Sequence, residues 1–204
     1  MEMYYHRSIR LQGYDYSRSG AYFVTICTEN RECYFGNIVK GRMILNDWGN
    51  VVKTYCQVTE NHFQNIEFDS FIIMPNHFHV IIKIIGTGIP VDAGFPRTNE
   101  NNTRSNTTNS NVGNSDTNVD HKNVINRNPN VYNANMRGNP APTLGQIVGF
   151  FKYGVSKRIN QIRKTPGVKL WQQNYYEHII RNENEYVRIS KYIKNNPIKW
   201  ELNF

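Results

Sequence analysis

Cysteine is scarce in this chain. Its 204 residues hold three, at positions 27, 33 and 56, an odd number with no CxxC spacing. That argues against a disulfide framework and reads as buried thiols in a reducing cytoplasm; a zinc site on Cys27 and Cys33 is only weakly signalled. Long apolar runs are missing as well, none approaching the roughly 20 residues of a membrane helix. The opening MEMYYHRSIRLQG lacks the apolar core of a signal peptide, so a cytoplasmic location is expected. Acidic side chains are also few, 16 against 24 Lys and Arg, for a net charge of +8.

The acidic deficit is local. Residues 1–85 carry eight cations and eight anions, whereas residues 143–204 carry eleven and four. Among those cations are Lys152, Lys157, Arg158, Arg163, Lys164, Lys169, Arg181, Arg188, Lys191, Lys194 and Lys199. Interleaved with them are Tyr153, Trp171, Tyr175, Tyr176, Tyr186, Tyr192 and Trp200. Cations that neutralise phosphates, set among rings that stack on bases, form the footprint of a nucleic-acid binder.

Between Asn99 and Asn139, 15 of 41 residues are Asn, mixed with Thr, Ser and Gly. Such a stretch has too little apolar surface to offset the entropy of ordering it. Residues 87–141 therefore read as a flexible insertion between two foldable pieces of one domain, 4–86 and 143–204. In the first piece, YFVTICT (22–28) predicts a strand. Asn46 then caps a helix whose stripe is Trp48, Val51, Val52, Tyr55 and Val58. A strand over 67–74, a Pro75-Asn76 turn and a strand over 77–85 read as a hairpin. In the second piece Thr143 caps a helix to about residue 163. A strand follows at 176–180, then a helix from Asn182 to Asn196, stopped by Pro197. The order βαββαβ plus a terminal helix predicts an α+β, ferredoxin-like antiparallel sheet with helices on one face.

Two features carry chemistry. In FIIMPNHFHVIIKI, alternate strand residues share a face, so His77 and His79 project side by side while Phe78 and Val80 point the other way. That arrangement offers two nitrogen ligands to one metal ion. In the helix 143–163 the apolar stripe is Leu144, Ile147, Val148, Phe151, Val155, Ile159 and Ile162, and Gln146, Tyr153, Lys157 and Asn160 lie on another stripe. Tyr153 stands about 200° from Phe151 around the helix, off its own apolar side and beside Lys152 and Lys157. Neighbouring cations favour a phenolate nucleophile. Gly154 lowers helix propensity by about 1 kcal/mol relative to Ala, which suits a close approach to the helix. Arg7, Arg10, Arg158, Arg181, Lys191 and His178 are candidate DNA contacts with Lys152 and Lys157, and Tyr175 and Tyr176 read as packing aromatics.

These stretches resemble the single-tyrosine HUH transposases, most closely the REP-associated tyrosine transposases. The resemblance runs through RSIRLQGYDYSRSGAYFVTICTENRECYFG, MPNHFHVII, FFKYGVSKRIN and LWQQNYYEHIIRNENEYVRISKYIKNNPIKW. It implies a bacterial, metal-dependent enzyme that cleaves and rejoins single-stranded or hairpin DNA through a 5′-phosphotyrosine, acting as a monomer or a homodimer. His77 and His79 would hold Mg²⁺ or Mn²⁺, and Tyr153 would be the nucleophile. Relatives place an amide or carboxylate ligand one turn after the tyrosine. Here that position is Lys157, which cannot ligate while protonated, so Asn160, with Gln161 beside it, is the expected third ligand.

Two other function classes fit the same residues. One is a non-catalytic nucleic-acid module, indifferent to Tyr153. The other is a zinc hydrolase using the histidine pair with a cysteine or His62. The transposase reading requires Tyr153 and the two imidazoles to meet at one phosphate.

Overall fold

The computed structural model describes residues 13–86 and 141–202. All belong to the unit formed by residues 1–95 and 140–204, and the Asn-rich stretch lies outside the described residues. In chain order the elements are β1 (Gly20–Cys27), β2 (Gly36–Val39), β3 (Arg42–Leu45), α1 (Asp47–His62), β4 (Ile66–Met74), β5 (His77–Ile84), α2 (Leu144–Ile162), β6 (Tyr176–Ile180), α3 (Glu183–Lys194) and α4 (Asn196–Leu202). The main sheet runs β4-β5-β1-β6 with every neighbouring pair antiparallel. This is the expected ferredoxin-like order, with the β2–β3 hairpin inserted before α1.

Local chemistry explains the boundaries. The Asn46 side chain accepts from the Gly49 N–H, and Thr143 and Gln146 close a reciprocal capping box that starts α2. Gln146 is therefore a cap residue. In α1 the buried positions are Gly49, Val52, Cys56 and Thr59, and Trp48, Val51 and Tyr55 of the expected stripe are partly buried against the same core, whereas Val58 is exposed. Pro197 does not stop the last helix. α3 ends at Lys194, and Pro197 occupies the first turn of α4, where its missing N–H leaves no bond unmade. The cysteines also differ from expectation: Cys56 is buried, Cys27 half-buried and Cys33 exposed.

The sheet has two covered faces. On one, Tyr22, Val24 and Ile26 of β1 and Phe78, Val80, Ile82 and Ile84 of β5 pack with Leu144, Ile147, Phe151, Val155 and Ile159 of α2 and with Val52 and Cys56 of α1. The crossover helices thus share one face, as expected. Burying each large apolar side chain contributes on the order of 1.5–3 kcal/mol, which makes this layer the main source of stability. On the other face, Ala21, Phe23, Ile81 and Ile180 pack against Ile189 and Ile193 of α3. The Tyr186 hydroxyl donates to Asp69, which pairs with Lys83 at 2.8 Å. Helix α3 is therefore fastened across the second face. No helix among the described residues is long and apolar enough to cross a membrane.

Candidate active site

Side-chain parity along β5 decides the site. Phe78 and Val80 belong to the α1–α2 layer, whereas Ile81 belongs to the α3 layer. His77 and His79 therefore face α3. Their rings lie 4.5 Å apart at 73°. The Nδ1 atom of His79 lies 2.7 Å from Thr25 Oγ1 on the neighbouring strand, and that of His77 lies 2.7 Å from Asn76 Oδ1 in the preceding turn. An amide oxygen only accepts, so His77 Nδ1 carries its proton and the lone pair of the neutral ring is on Nε2. Second partners of this kind fix imidazole orientation at metal centres.

Burial keeps both rings neutral. His79 is 4% exposed. Desolvation, helped by His77, depresses its pKa to about 3. Desolvation also pushes His77 down to about 4, against the opposing pull of a hydrogen bond to the Asn196 side chain. Neutral imidazoles are the ligating form. Asn196 is itself buried. Cys27 stands directly across from His77 in the β1–β5 register. Among the described residues no group of three or more His, Cys, Asp or Glu is placed to hold a metal. Two side-by-side imidazole nitrogens and one amide oxygen are nonetheless a donor set that a divalent cation accepts, with phosphate and water completing its shell.

A tyrosine does meet the histidines, but not the expected one. The Tyr192 hydroxyl lies 3.5 Å from His79 Nε2, and the two rings are 5.3 Å apart at 63°. The distance is at the outer edge of a hydrogen bond, as is common before a substrate draws catalytic groups together. Tyr192 sits on α3, four residues before Asn196, so two successive turns of chain deliver a phenol and an amide to the same pair of rings. Phe23 packs edge-on against Tyr192 at 6.1 Å. The Lys199 ammonium lies 5.3 Å from the centre of the Tyr192 ring, and the Trp200 ring is 5.8 Å from His77. Glu201 holds α4 in place by accepting the Lys40 N–H from the tip of the β2–β3 hairpin.

Tyr153 is 65% exposed on the outer side of α2, behind the opposite face of the sheet. Phe151 stacks on Phe78 at 5.1 Å, and a Cβ on Gly154 would overlap the Tyr55 ring of α1. That contact is the close approach the glycine suggested. The structure thus separates Tyr153 from the histidines by the whole sheet. Asn160 is separated too: it donates to the Val168 carbonyl at 2.9 Å and accepts from Arg163 at 2.8 Å, tying down the loop after α2. Gln161 lines the outer side of α2 with Tyr153. His62 stacks on Phe150 at 4.1 Å, on the α1–α2 side.

The candidate DNA contacts also divide. Lys152 is occupied, donating to the Gln172 and Gln173 carbonyls at 2.7 and 3.0 Å, and burial lowers its pKa. Lys157 lies over the Tyr153 ring at 5.8 Å, on the outer side of α2. Arg158 is half-buried on α2 near Tyr55. His178 shares the histidine face through its register with Phe23 but pairs with Glu185 at 2.7 Å. Lys191, Arg188, Lys199 and exposed Tyr176 line a cavity of about 440 Å³ with Tyr192. Arg181 is exposed at the end of β6. Tyr175 packs on the α1–α2 core. Arg7 and Arg10 lie outside the described residues.

Tyr192 and Asn196 are the residues that sequence reasoning missed. Their i, i+4 spacing and the apolar identity of Phe78 and Val80 were the available signals, because the aliphatic side of β5 had to receive the crossover helices.

No family model matches the chain. It is 37% identical over 205 residues to an uncharacterized protein of Haemophilus influenzae, covering 98% of this chain and 92% of that one. A solved REP-associated tyrosine transposase bound to a REP hairpin is 13% identical with a TM-score of 0.48, over 94% of this chain and 74% of that one. A provisionally assigned transposase from Deinococcus radiodurans R1 is 13% identical with a TM-score of 0.43, over 92% and 97%. At these scores the two structural likenesses carry no weight for function.

Proposed function

The chain belongs to one family with the uncharacterized Haemophilus influenzae protein, and we propose that it is a metal-dependent single-stranded DNA transposase and endonuclease whose nucleophile is Tyr192. The observation that carries this reading is the Tyr192 hydroxyl 3.5 Å from His79, beside one buried and one half-buried imidazole held neutral. His77 and His79, with Asn196, would hold Mg²⁺ or Mn²⁺. When bound, the cation draws charge from the phosphoryl oxygens.

The chain's own residues account for the rest. The Tyr192 phenol attacks phosphorus in line. A bond forms from the phenolic oxygen to phosphorus, and the bond from phosphorus to the 3′ oxygen breaks. The electron pair leaves with the 3′ oxygen, which takes up a proton. The phenolic proton departs to solvent on the exposed side of the ring, and the Lys199 ammonium stabilises the developing phenolate. The product is a 5′-phosphotyrosine and a free 3′-OH. A second 3′-OH reverses the step, so the bond energy is retained and two near-balanced displacements replace one difficult one. Burial keeps the imidazoles neutral at pH 7, and Arg188, Lys191 and Lys199 supply cations for the flanking phosphates. A hairpin end is the expected form of the strand.

The test is a 3′-labelled single-stranded hairpin incubated with full-length protein and Mg²⁺. The label should migrate with the protein in denaturing gels. Tyr192→Phe should abolish the adduct, by on the order of 10⁴-fold, and Tyr153→Phe should retain it. An adduct that survives Tyr192→Phe overturns the assignment. Binding without any adduct in the wild type would leave a non-catalytic module.

A further inference from the structure

The outer side of α2 carries a groove that the cleavage site does not use. It encloses about 1050 Å³, against about 440 Å³ for the cavity beside Tyr192. One wall is α2, with Tyr153 and Lys157; the other is the loop 164–173, with Lys164, Lys169 and buried Trp171. No acidic side chain occurs among its described lining residues.

The groove is preformed. Asn160 and Arg163 both bond the Val168 carbonyl, at 2.9 and 3.1 Å. The Thr165 N–H bonds the Asn160 carbonyl at 3.0 Å, and Lys152 clamps the far end of the loop through Gln172 and Gln173. The irregular chain over 164–173 is thus tied at both ends and in the middle, so little entropy remains to be lost when a ligand settles. The polar groups of Asn160 and Lys152 are consumed in building the walls. Lys157, Lys164 and Lys169 are left exposed, as is the Tyr153 ring.

We propose that this groove is a second, non-catalytic site for single-stranded DNA, with phosphates on Lys157, Lys164 and Lys169 and one base stacked on Tyr153. A lone exposed ring needs an unpaired base face, which a duplex does not present. Three ammonium groups without an opposing carboxylate need a polyanion. The groove lies behind the opposite sheet face from His77 and His79, so a strand in it is held without being cut. The inference does not depend on Tyr192 being a nucleophile.

The experiment uses full-length protein, a fluorescein-labelled 15-mer oligothymidylate and EDTA, with anisotropy followed across a salt series. The triple variant Lys157→Gln, Lys164→Gln, Lys169→Gln should lower the salt slope by about two, since each single-strand phosphate contact contributes about 0.7. Lys53→Gln on α1 removes one charge outside the groove and should leave the slope nearly unchanged. Tyr153→Ala should weaken binding about tenfold, Tyr153→Phe should not, and circular dichroism checks that each variant is folded. The proposal is overturned if affinity and slope survive both the triple variant and Tyr153→Ala. It is also overturned if a labelled oligouridylate, and not the DNA, is what the triple variant ceases to bind. Because no adduct is measured, a failed cleavage reading and a failed groove reading give different results.

Discussion

The two faces of the sheet are built on opposite rules. Even-numbered residues of β5 meet α1 and α2 in a layer of aromatic and aliphatic side chains, and odd-numbered ones meet α3 with two imidazoles among them. The first face concentrates apolar burial, and its helix presents cations outward. The second encloses polar groups between sheet and helix, where desolvation sets their protonation. One strand thus separates stability from chemistry by the two-residue period alone. Two tyrosines mark the contrast: Tyr153, outside the first face, is exposed to whatever docks there, and Tyr192, on the second and itself 40% exposed, has its hydroxyl against His79.

The Phe substitutions at Tyr192 and Tyr153 are the sharpest way to break this comparison. The next largest effect concerns packing. Phe151→Ala empties a site 1% exposed and stacked on Phe78, so it should destabilise the fold by about 3–5 kcal/mol in urea denaturation. Adduct formation per folded molecule should be nearly preserved. Ile193→Ala, also 1% exposed, should cost about 2–5 kcal/mol and lower the adduct yield as well, because Ile193 directly follows Tyr192 on α3. Equal loss of activity in the two variants would mean the faces are not separable.

Gly154→Ala tests the first face on a smaller scale. Alanine raises helix propensity by about 1 kcal/mol, but its Cβ would overlap the Tyr55 ring, and overpacking costs typically about 1–3 kcal/mol. The expected net result in urea is a loss of about 0–2 kcal/mol. A stabilised variant would show that α1 and α2 do not meet so closely.

Much of the fold could be read from residues. The runs 66–74 and 77–84 announce themselves by apolar content around Pro75-Asn76, and Thr143 with Gln146 fixes the start of α2. The β2–β3 hairpin escaped notice because its strands have four residues each and turn through Lys40-Gly41, both at positive φ, without the Asn-Gly signal. The histidine pair was legible from alternation. Which tyrosine lies beside that pair was not. A helical stripe shows that Tyr153 faces away from its own core, but it does not say which side of the sheet that core covers. Asn196 and Pro197 looked like the end of a helix, which hid the amide that closes on His77. Thr25 and Asn76, which orient the rings, come from a neighbouring strand and a turn, and only the fold brings them there.

The smallest effect is a pH slope confined to the second face. In the metal-free protein His77 and His79 are held at pKa values of about 4 and 3, below the ordinary 6.5, mainly by burial. The unfolded chain therefore binds more protons than the folded one between pH 6.5 and about 4, so stability rises with pH across that window. The contribution of the neutral rings is complete above pH 6.5. It declines as the solution is acidified, by on the order of 1 kcal/mol per pH unit for each histidine. Urea midpoints measured in EDTA from pH 7 to pH 4 should show this decline in the wild type. They should show a visibly flatter one in His77→Gln/His79→Gln, whose amides do not titrate. If the β5 double variant declines as steeply as the wild type, the titrating groups lie away from the second face and the contrast between the faces fails.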